Sequence, residues 1–479
     1  MIRVFNTLSG KKEGLKKPKG KQLKLFVCGP TVYDYPHIGN ARTYIAFDAF
    51  VRYLRSQKIK VFYLQNITDI DDKIITKARE EKTTPAAIAK KYEKIYHQNE
   101  KSLNICSVSK YARATAHIPQ IIKQIKTLIK KGHAYKIEGD GYYFDLAAFP
   151  EYGKLSKRTS LQAEDAVSRI DENIRKRNKG DFALWKLVRF EATNYLSKST
   201  NSTNKFKIIN GEPAWWTPLG WGRPGWHIED TAITEHYFGP QYDLHGGAVD
   251  LKFPHHEAEI AQQESASGKK PLVKLWMHTG FLLINGKKMS KSLGNFVSIT
   301  EFLKNYPGEV LQLLVLNHHY RSPVDYTDET AKQSQSALKS MQEFIWKLNL
   351  PAGSGLKDLP KLLLNTKKIY GNSLADDFNT PEALATLFSL KHNLEKQAWN
   401  LTASQAKQIQ RFLINSLSAL GLNLKNLPKI PAKIGQMAQK RELCRINKQF
   451  IQSDALRNEI EKLGYIIEDT PAGPLVIKK

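Results

Sequence analysis

Two short segments carry residue types that suit phosphate chemistry. The first, CGPTVYDYPHIGNART from Cys28 to Thr43, places Pro30, Thr31, His37, Gly39 and Asn40 where an apolar run gives way to a helical pattern. Free N–H groups and the helix dipole at such a junction favour anions, Gly39 permits close approach, and His37 and Asn40 can donate to phosphate oxygens. The second, GKKMSKSLGN from Gly286 to Asn295, puts Lys288 and Lys291 beside Ser290 and Ser292 on a glycine-flanked basic loop. Adenylyl transfer from ATP needs such groups, because charge on the α-phosphate and the departing pyrophosphate must be neutralised. Taken singly, a structural turn explains the first segment and a solvated charged loop the second; neither explains both together. His255 and Glu259 stand four apart on a helical pattern, so one face can present both to an ion, although such spacing more often marks a surface pair.

These residues require a scaffold. Leu23 to Cys28 reads as a strand broken by Gly29-Pro30, Ile38 to Arg55 as a helix, and Val61 to Leu64 as a second strand, which predicts parallel strands joined by a right-handed crossover. The segment AYKIEGDGYYFDL predicts a hairpin turning at Gly139-Asp140-Gly141 within an inserted subdomain, and strand-turn-helix grammar returns at Tyr242 to Gly247 and His255 to Ser267. The fold class is therefore α/β: a Rossmann-type nucleotide-binding domain over residues 1–320 with an insertion at about 110–225. A helical bundle over 321–425 and a small mixed α/β unit over 426–479 follow.

Charge and cysteine usage narrow the setting. Lys plus Arg number 73 against 46 Asp plus Glu, a net +27 that points to a polyanionic partner, with a plain solvated basic surface as the alternative. Three scattered cysteines, Cys28, Cys106 and Cys444, make no disulfide framework and indicate a reducing compartment. No signal-like apolar stretch opens the chain, and no run of about 18 apolar residues is present, so a cytoplasmic protein without a membrane partner is expected.

With these segments in place, the chain resembles the class I aminoacyl-tRNA synthetases: HIGN at His37 to Asn40 stands for their HIGH signature, and KMSKS at Lys288 to Ser292 is unaltered. NITDIDDKI from Asn66, GRPGWHIE from Gly222, HGGAVDLKFPHHEAEIAQ from His245, LADDFNTPEALA from Leu374 and DALRNEI from Asp454 narrow the resemblance to the cysteinyl-tRNA synthetase family, almost end to end. The resemblance implies two-step charging of a cysteine tRNA by a monomer, with ATP and Mg2+. His37, Asn40, Lys288 and Lys291 would be catalytic, and Thr68, Trp226, His245 and Asp250 would hold cysteine. It also implies a zinc ion at Cys28, Asp230, His255 and Glu259, with one departure: the family continues GWHIE with Cys, and this chain has Asp230. Asp is an acceptable zinc ligand, but a site with one thiolate is harder and less zinc-selective, and loss of the metal is the alternative. The anticodon would be read in the last unit, with Arg441, Arg445, Asp454 and Arg457 as candidates and ordinary solvated helix charges as the competing explanation. The connection from Lys186 to Gly211 and the segment EDAVSRIDEN also depart from the family pattern.

Three rivals share parts of this reading. A ligase joining cysteine to a small amine would not need the basic C-terminal third. A nucleotidyltransferase would not explain the cysteine-family motifs, and only Asp230 favours a paralogue that binds RNA without catalysis. Lys291→Ala is expected to cripple cysteine-dependent ATP–pyrophosphate exchange while tRNA binding stays nearly intact. Exchange kinetics and filter binding check both halves.

Overall fold

The computed structural model describes all residues except 17, 19, 159–173, 189–205, 290–293, 351–352, 425–429 and 479. Its centre is a five-stranded parallel sheet in the order Val273–Thr279, Tyr242–Ala248, Leu23–Val27, Val61–Ile67, Lys110–Arg113. The inner strands Leu23–Val27 and Val61–Ile67 are largely buried, as strands of a parallel sheet covered by helices must be, whereas the edge strand Lys110–Arg113 is more exposed. The chain lays down the strands on one side of Leu23–Val27 first, then returns through the insertion to build the other side. The strand order therefore reverses beside Leu23–Val27, and in open α/β sheets ligands sit beyond the strand ends at such a reversal.

Helix Ile38–Ser56 begins there. His37 is its N-cap: Asn40 N–H donates to His37 Nδ1 at 3.2 Å, and His37 N–H donates back to Asn40 Oδ1 at 3.1 Å. This reciprocal cap gives two backbone N–H groups at the helix start a side-chain acceptor each. It also explains Gly39, since a Cβ there would lie 2.8 Å from His37 Nδ1. Gly29 is fixed by a similar constraint: its N–H donates to Asn66 Oδ1, and a Cβ would lie 1.8 Å from the Asn66 carbonyl oxygen.

The insertion carries a six-stranded antiparallel sheet, ordered Ala134–Ile137, Gly141–Phe144, Phe182–Leu187, Gly220–Pro224, Glu212–Thr217, Phe206–Ile209. The expected hairpin at Gly139-Asp140-Gly141 joins its first pair. Residues 189–205 of the connection from Lys186 to Gly211 and the segment EDAVSRIDEN lie outside the described residues.

The chain divides into two compact units, and the division does not fall cleanly at 320/321. The first holds Met1–Gly308, His318–Thr327 and Ala375–Phe378; the second holds Glu309–Asn317, Asp328–Leu374 and Asn379–Lys479. Helices Asp328–Lys347, Leu359–Ala375, Thr380–Glu395 and Ala403–Ser418 form the helical part of the second unit. Helices Ala432–Ile446 and Phe450–Lys462 and the hairpin Tyr465–Thr470/Gly473–Lys478 complete that same unit and enclose a small core of Ile434, Ala438, Ile460, Ile467 and Val476. Among the described residues no helix is long and apolar enough to cross a membrane.

Residues 375–378 belong to the first unit because Asp377, 1% exposed, is a four-bond acceptor there. Phe5 N–H and Tyr320 Oη each donate to Oδ1 at 2.7 Å, while Arg321 Nε and Nη2 donate to Oδ2 at 2.9 and 2.6 Å. Removing one member of a buried charged network strands its partners. Asp377→Ala is therefore expected to destabilise the first unit by about 3 kcal/mol, seen as a lower denaturant midpoint with an unchanged slope.

Candidate active site

A cavity of about 370 Å3 opens beyond the carboxyl end of Leu23–Val27. Pro30, Thr31, His37, Gly39, Asn40 and Lys288 line one end, and Cys28, Thr68, Trp226, Asp230, Asp250 and His255 line the other. Twelve positions selected for chemistry in the sequence thus meet in one space. His245 and Glu259 do not line it; both are fully buried behind Cys28. Lys291 lies outside the described residues. Lys288 is not on a loop, as the glycine-flanked motif led us to expect: Lys287–Lys288 is a short strand paired with Leu282–Ile284. Its ammonium rests 5.1 Å from the centre of the Phe281 ring. Backbone pairing runs further into the motif than its glycines indicate, because Gly286 supplies the positive φ of the tight turn before it.

Two helices converge on Cys28. Ile228–Phe238 brings Asp230, and His255–Ser267 brings His255 and Glu259 one turn apart. His255 Nε2 is 2.9 Å from Asp230 Oδ2 and 3.3 Å from Glu259 Oε1, and Cys28 Sγ is 3.8 Å from that same Glu259 oxygen. One ligand atom from each of the four residues lies within 4.8 Å of the others. On the far side, His245 Nε2 and His256 Nε2 stand 3.4 and 3.2 Å from Cys28 Sγ, so Cys28, His245, His256 and Glu259 form a second such group.

The electrostatics follow from burial. Burial, reinforced by Glu259 and Asp230, pushes the Cys28 thiol well above its usual range. Burial and then Asp230 push Glu259 up as well. His245 and His256 are pushed down by burial and neighbouring imidazoles, and therefore stay neutral. Asp230 Oδ1 and Glu259 Oε2 are buried without a hydrogen-bond partner among the described residues. Unsatisfied carboxylate oxygens cost free energy in such a place, and a divalent cation would satisfy them. The donors fit a zinc-like ion: one sulfur, one imidazole nitrogen and two carboxylate oxygens. His227 Nδ1 shares a hydrogen bond with His255 Nδ1 at 2.8 Å; with the proton on His255, its Nε2 offers a lone pair to the ion.

The amino-acid end has a neighbour the motif reading passed over. Glu229 accepts from Thr68 Oγ1 and from Asn66 Nδ2 at 3.2 Å, and burial followed by Asp230 raises its pKa. Trp226 stacks on the His255 ring at 4.6 Å and 23°. Glu229 and His256 had a sequence signal only in hindsight, as the residues directly next to Asp230 and His255 in GWHIED and PHHE.

In the second unit, the expected RNA-facing residues are largely engaged within the protein. Arg441 is 2% exposed and bidentate with Asp469. Arg445 reaches Asp469 at 2.9 Å and Glu442 at 2.8 Å, and Arg457 donates to the Ile467 carbonyl at 3.3 Å. Arg441 therefore ties the terminal hairpin to its helix, while Asp454 is exposed.

The family described as the tRNA synthetases class I (C) catalytic domain matches residues 15–336, and the DALR domain matches 370–425. Curated relatives named cysteine–tRNA ligase span the whole chain. That of Carboxydothermus hydrogenoformans is 38% identical, covering 98% of this chain and 99% of its own. That of Coxiella burnetii is 40% identical, covering 98% of each. Among solved structures, Mycobacterium tuberculosis methionyl-tRNA synthetase bound by methionyl-adenylate superposes with a TM-score of 0.56 at 15% identity, over 84% of this chain and 90% of that one. The Agrobacterium radiobacter leucyl enzyme in its ternary complex gives 0.62 at 10%, over 84% and 83%. These two show a shared fold.

A cation entering this cluster must displace protons from Cys28 and Glu259, whose raised pKa values keep them protonated. Metal binding is expected to release protons and to tighten as pH rises. Without metal, both groups contribute stability at pH values below their unfolded pKa, and that contribution is lost as pH rises through the folded values. The metal-induced rise in Tm should accordingly grow with pH. Calorimetry in buffers of different ionisation enthalpy counts the protons, and thermal melts at several pH values follow the Tm.

Proposed function

The chain belongs to the cysteine–tRNA ligases of class I, and from that premise we propose how its own residues divide the work. It activates cysteine with ATP and transfers the product to tRNA. A cysteine carboxylate oxygen attacks the α-phosphorus, forming cysteinyl-adenylate as pyrophosphate leaves. A ribose hydroxyl at the 3′ end of the tRNA then attacks the cysteinyl carbonyl, and AMP leaves.

The observation that carries the assignment is the joining, in one cavity, of a phosphate-suited helix start with a buried thiol–carboxylate cluster. His37, Asn40 and Lys288, with Lys291, hold the triphosphate. Asn40 keeps His37 in place through the reciprocal cap, so the imidazole is oriented before ATP arrives. Lys288 and Lys291 neutralise the charge that builds on the α-phosphate and pyrophosphate, and Mg2+ arriving with ATP would add to that neutralisation. Pro30, Thr31 and Gly39 leave room for the nucleotide to approach the backbone. Thr68, Trp226, His245 and Asp250 position cysteine, Thr68 being held by Glu229 and His245 acting from behind Cys28.

Cys28, Asp230, His255 and Glu259 would hold zinc, which supplies a Lewis acid that binds a substrate thiolate in preference to a hydroxyl. Cysteine and serine differ by one atom, a difference that pocket shape alone discriminates poorly. With Asp230 in place of a thiolate the donors are harder, so the site holds zinc less exclusively. Three scattered cysteines support a reducing, cytoplasmic setting.

Cysteine-dependent pyrophosphate exchange, with serine as competitor, on protein stripped of metal and resupplied with zinc, tests this directly. Recovery with zinc, selective for cysteine, supports the assignment. Exchange indifferent to zinc would remove the metal from it, and exchange absent in both states would overturn activation itself. Asp230→Cys is expected to raise zinc affinity at least about ten-fold in chelator competition, and to widen the preference for cysteine over serine.

A further inference from the structure

Lys288 reaches the cavity from the edge of a very small sheet, and something must hold that edge in place. Strands Leu282–Ile284 and Lys287–Lys288 are joined by the turn Asn285-Gly286, whose φ values of 50° and 73° are both positive, the form that suits the twist of a tight hairpin. A hairpin this short is marginal by itself in water. The third strand of the sheet, Val324–Tyr326, supplies the support. It pairs in parallel with Leu282–Ile284, and its backbone continues the ladder into the turn, where Asn285 N–H donates to the Tyr326 carbonyl at 3.2 Å. Asp325 adds a side-chain bond: its Oδ1 accepts from Gly286 N–H at 2.8 Å, so a carboxylate from a distant segment fastens the turn directly before Lys287 and Lys288.

The other end of the same segment is fastened to the helix that begins at His37. Arg42, 1% exposed on that helix, donates through Nη2 to the Tyr320 carbonyl at 3.1 Å and to the Ser322 carbonyl. Gly280 packs close beneath this stretch: its N–H donates to the Tyr320 carbonyl at 2.9 Å, and a Cβ there would lie 2.7 Å from the Arg321 and Ser322 carbonyl oxygens. Tyr320 and Arg321 are held in turn by Asp377. Residues 320–326 thus touch the helix of one phosphate-suited segment and the turn of the other. Beyond the second segment the chain meets the first directly, because Ile38 N–H donates to the Val297 carbonyl at 3.1 Å and Ile299 N–H to the Pro36 carbonyl at 2.9 Å.

We propose that residues 320–326 brace the two phosphate-suited segments against each other, and that Asp325 is the positioning residue that keeps Lys288 aimed at the triphosphate of ATP. This rests on the activation step proposed above and adds what sets the place of the lysine. Asp325 does not line the cavity; it acts through Gly286 and Lys288. Its effect belongs to the transition state, in which charge builds on the α-phosphate and pyrophosphate. A displaced lysine therefore lowers the rate of activation and leaves the affinity for cysteine alone.

The test is a double-mutant cycle, read by cysteine-dependent ATP–pyrophosphate exchange on the full chain. Asp325→Ala is expected to lower kcat roughly five-fold or more with the KM for cysteine unchanged. Asp325→Asn keeps a side-chain oxygen for Gly286 N–H and should recover most of the rate. Added to Lys288→Ala, Asp325→Ala should cost no more than about two-fold, since the lysine it acts through has gone. Additive losses, or Asp325→Ala at the parent rate, overturn the proposal; so does an asparagine variant as slow as the alanine one, which would put the effect on charge rather than on the hydrogen bond. Should Asp325→Ala melt well below the parent, Asp325→Glu takes its place in the cycle, keeping the carboxylate but displacing it by a methylene, with the same two outcomes. Exchange absent in the parent protein would strike the activation reading instead. Amide hydrogen exchange of residues 285–288 then still tests the brace: it should quicken in Asp325→Ala and keep the parent rate in Asp325→Asn, and equal rates in all three overturn it.

Discussion

Three acidic groups, Cys28, Asp230 and Glu259, are buried within a few ångströms of one another, and much of the first unit is arranged to tolerate that. Helix His255–Ser267 has polar side chains buried on nearly every side, the reverse of an amphipathic surface helix. Each needs a partner, and the partners come from distant sequence. Glu257 accepts from the backbone of Gly153 and Ser156. Glu264 accepts from Leu272 N–H and Lys154, while Gln263 meets Gln124. Thr231 donates to Gln124 and Gln262. The helix is thus held by the insertion as much as by the sheet, so the position of the candidate ligands depends on the return of the chain after a long excursion.

The same helix explains why Cys28 has histidines on two sides. His255 faces the cavity side of the thiol and Glu259 lies behind it, while His256, the residue after His255, faces the back, where His278 meets its Nδ1 at 2.9 Å. His245 stacks on Trp276 at 4.2 Å and meets Tyr242 Oη at 2.7 Å. These contacts fix ring orientations in a dry environment, in which the imidazoles stay neutral and present lone pairs or N–H groups in set directions. Cys28 and Glu259 belong to both groupings, so a single cation near Cys28 would meet both groups.

Sheet topology supplies the other half of the site. Because strand order reverses beside Leu23–Val27, the ends of Leu23–Val27 and Tyr242–Ala248 separate and leave a crevice. The helix start at His37 forms one wall and the thiol–carboxylate cluster the other. The distance between them is set by backbone: the Asn66 side chain and carbonyl pin Gly29, and Thr68 N–H donates to Pro30 carbonyl at 3.1 Å. The helix start and the thiol–carboxylate cluster are therefore rigidly related through a few residues after one strand.

Much of this was legible in the residues themselves. Strand, turn and helix at Leu23 to Arg55 were plain from apolar spacing, and the His37 and Lys288 segments pointed to phosphate because turn chemistry and charge are local properties. The departure at Asp230 was visible as a residue identity, and its consequence follows from ligand hardness alone. Other features belonged to the tertiary structure. Burial decided that Arg441 faces Asp469, although its composition marked it as a cation for RNA. Pairing with Leu282–Ile284, a strand itself held by Val324–Tyr326, decided that Lys288 sits on a strand, and Asp377 was claimed for the first unit by Phe5, Tyr320 and Arg321, far away in sequence. Spacing along a chain reports which residues share a face, whereas desolvation and the choice among charged partners depend on what packs against that face, which only the folded chain determines.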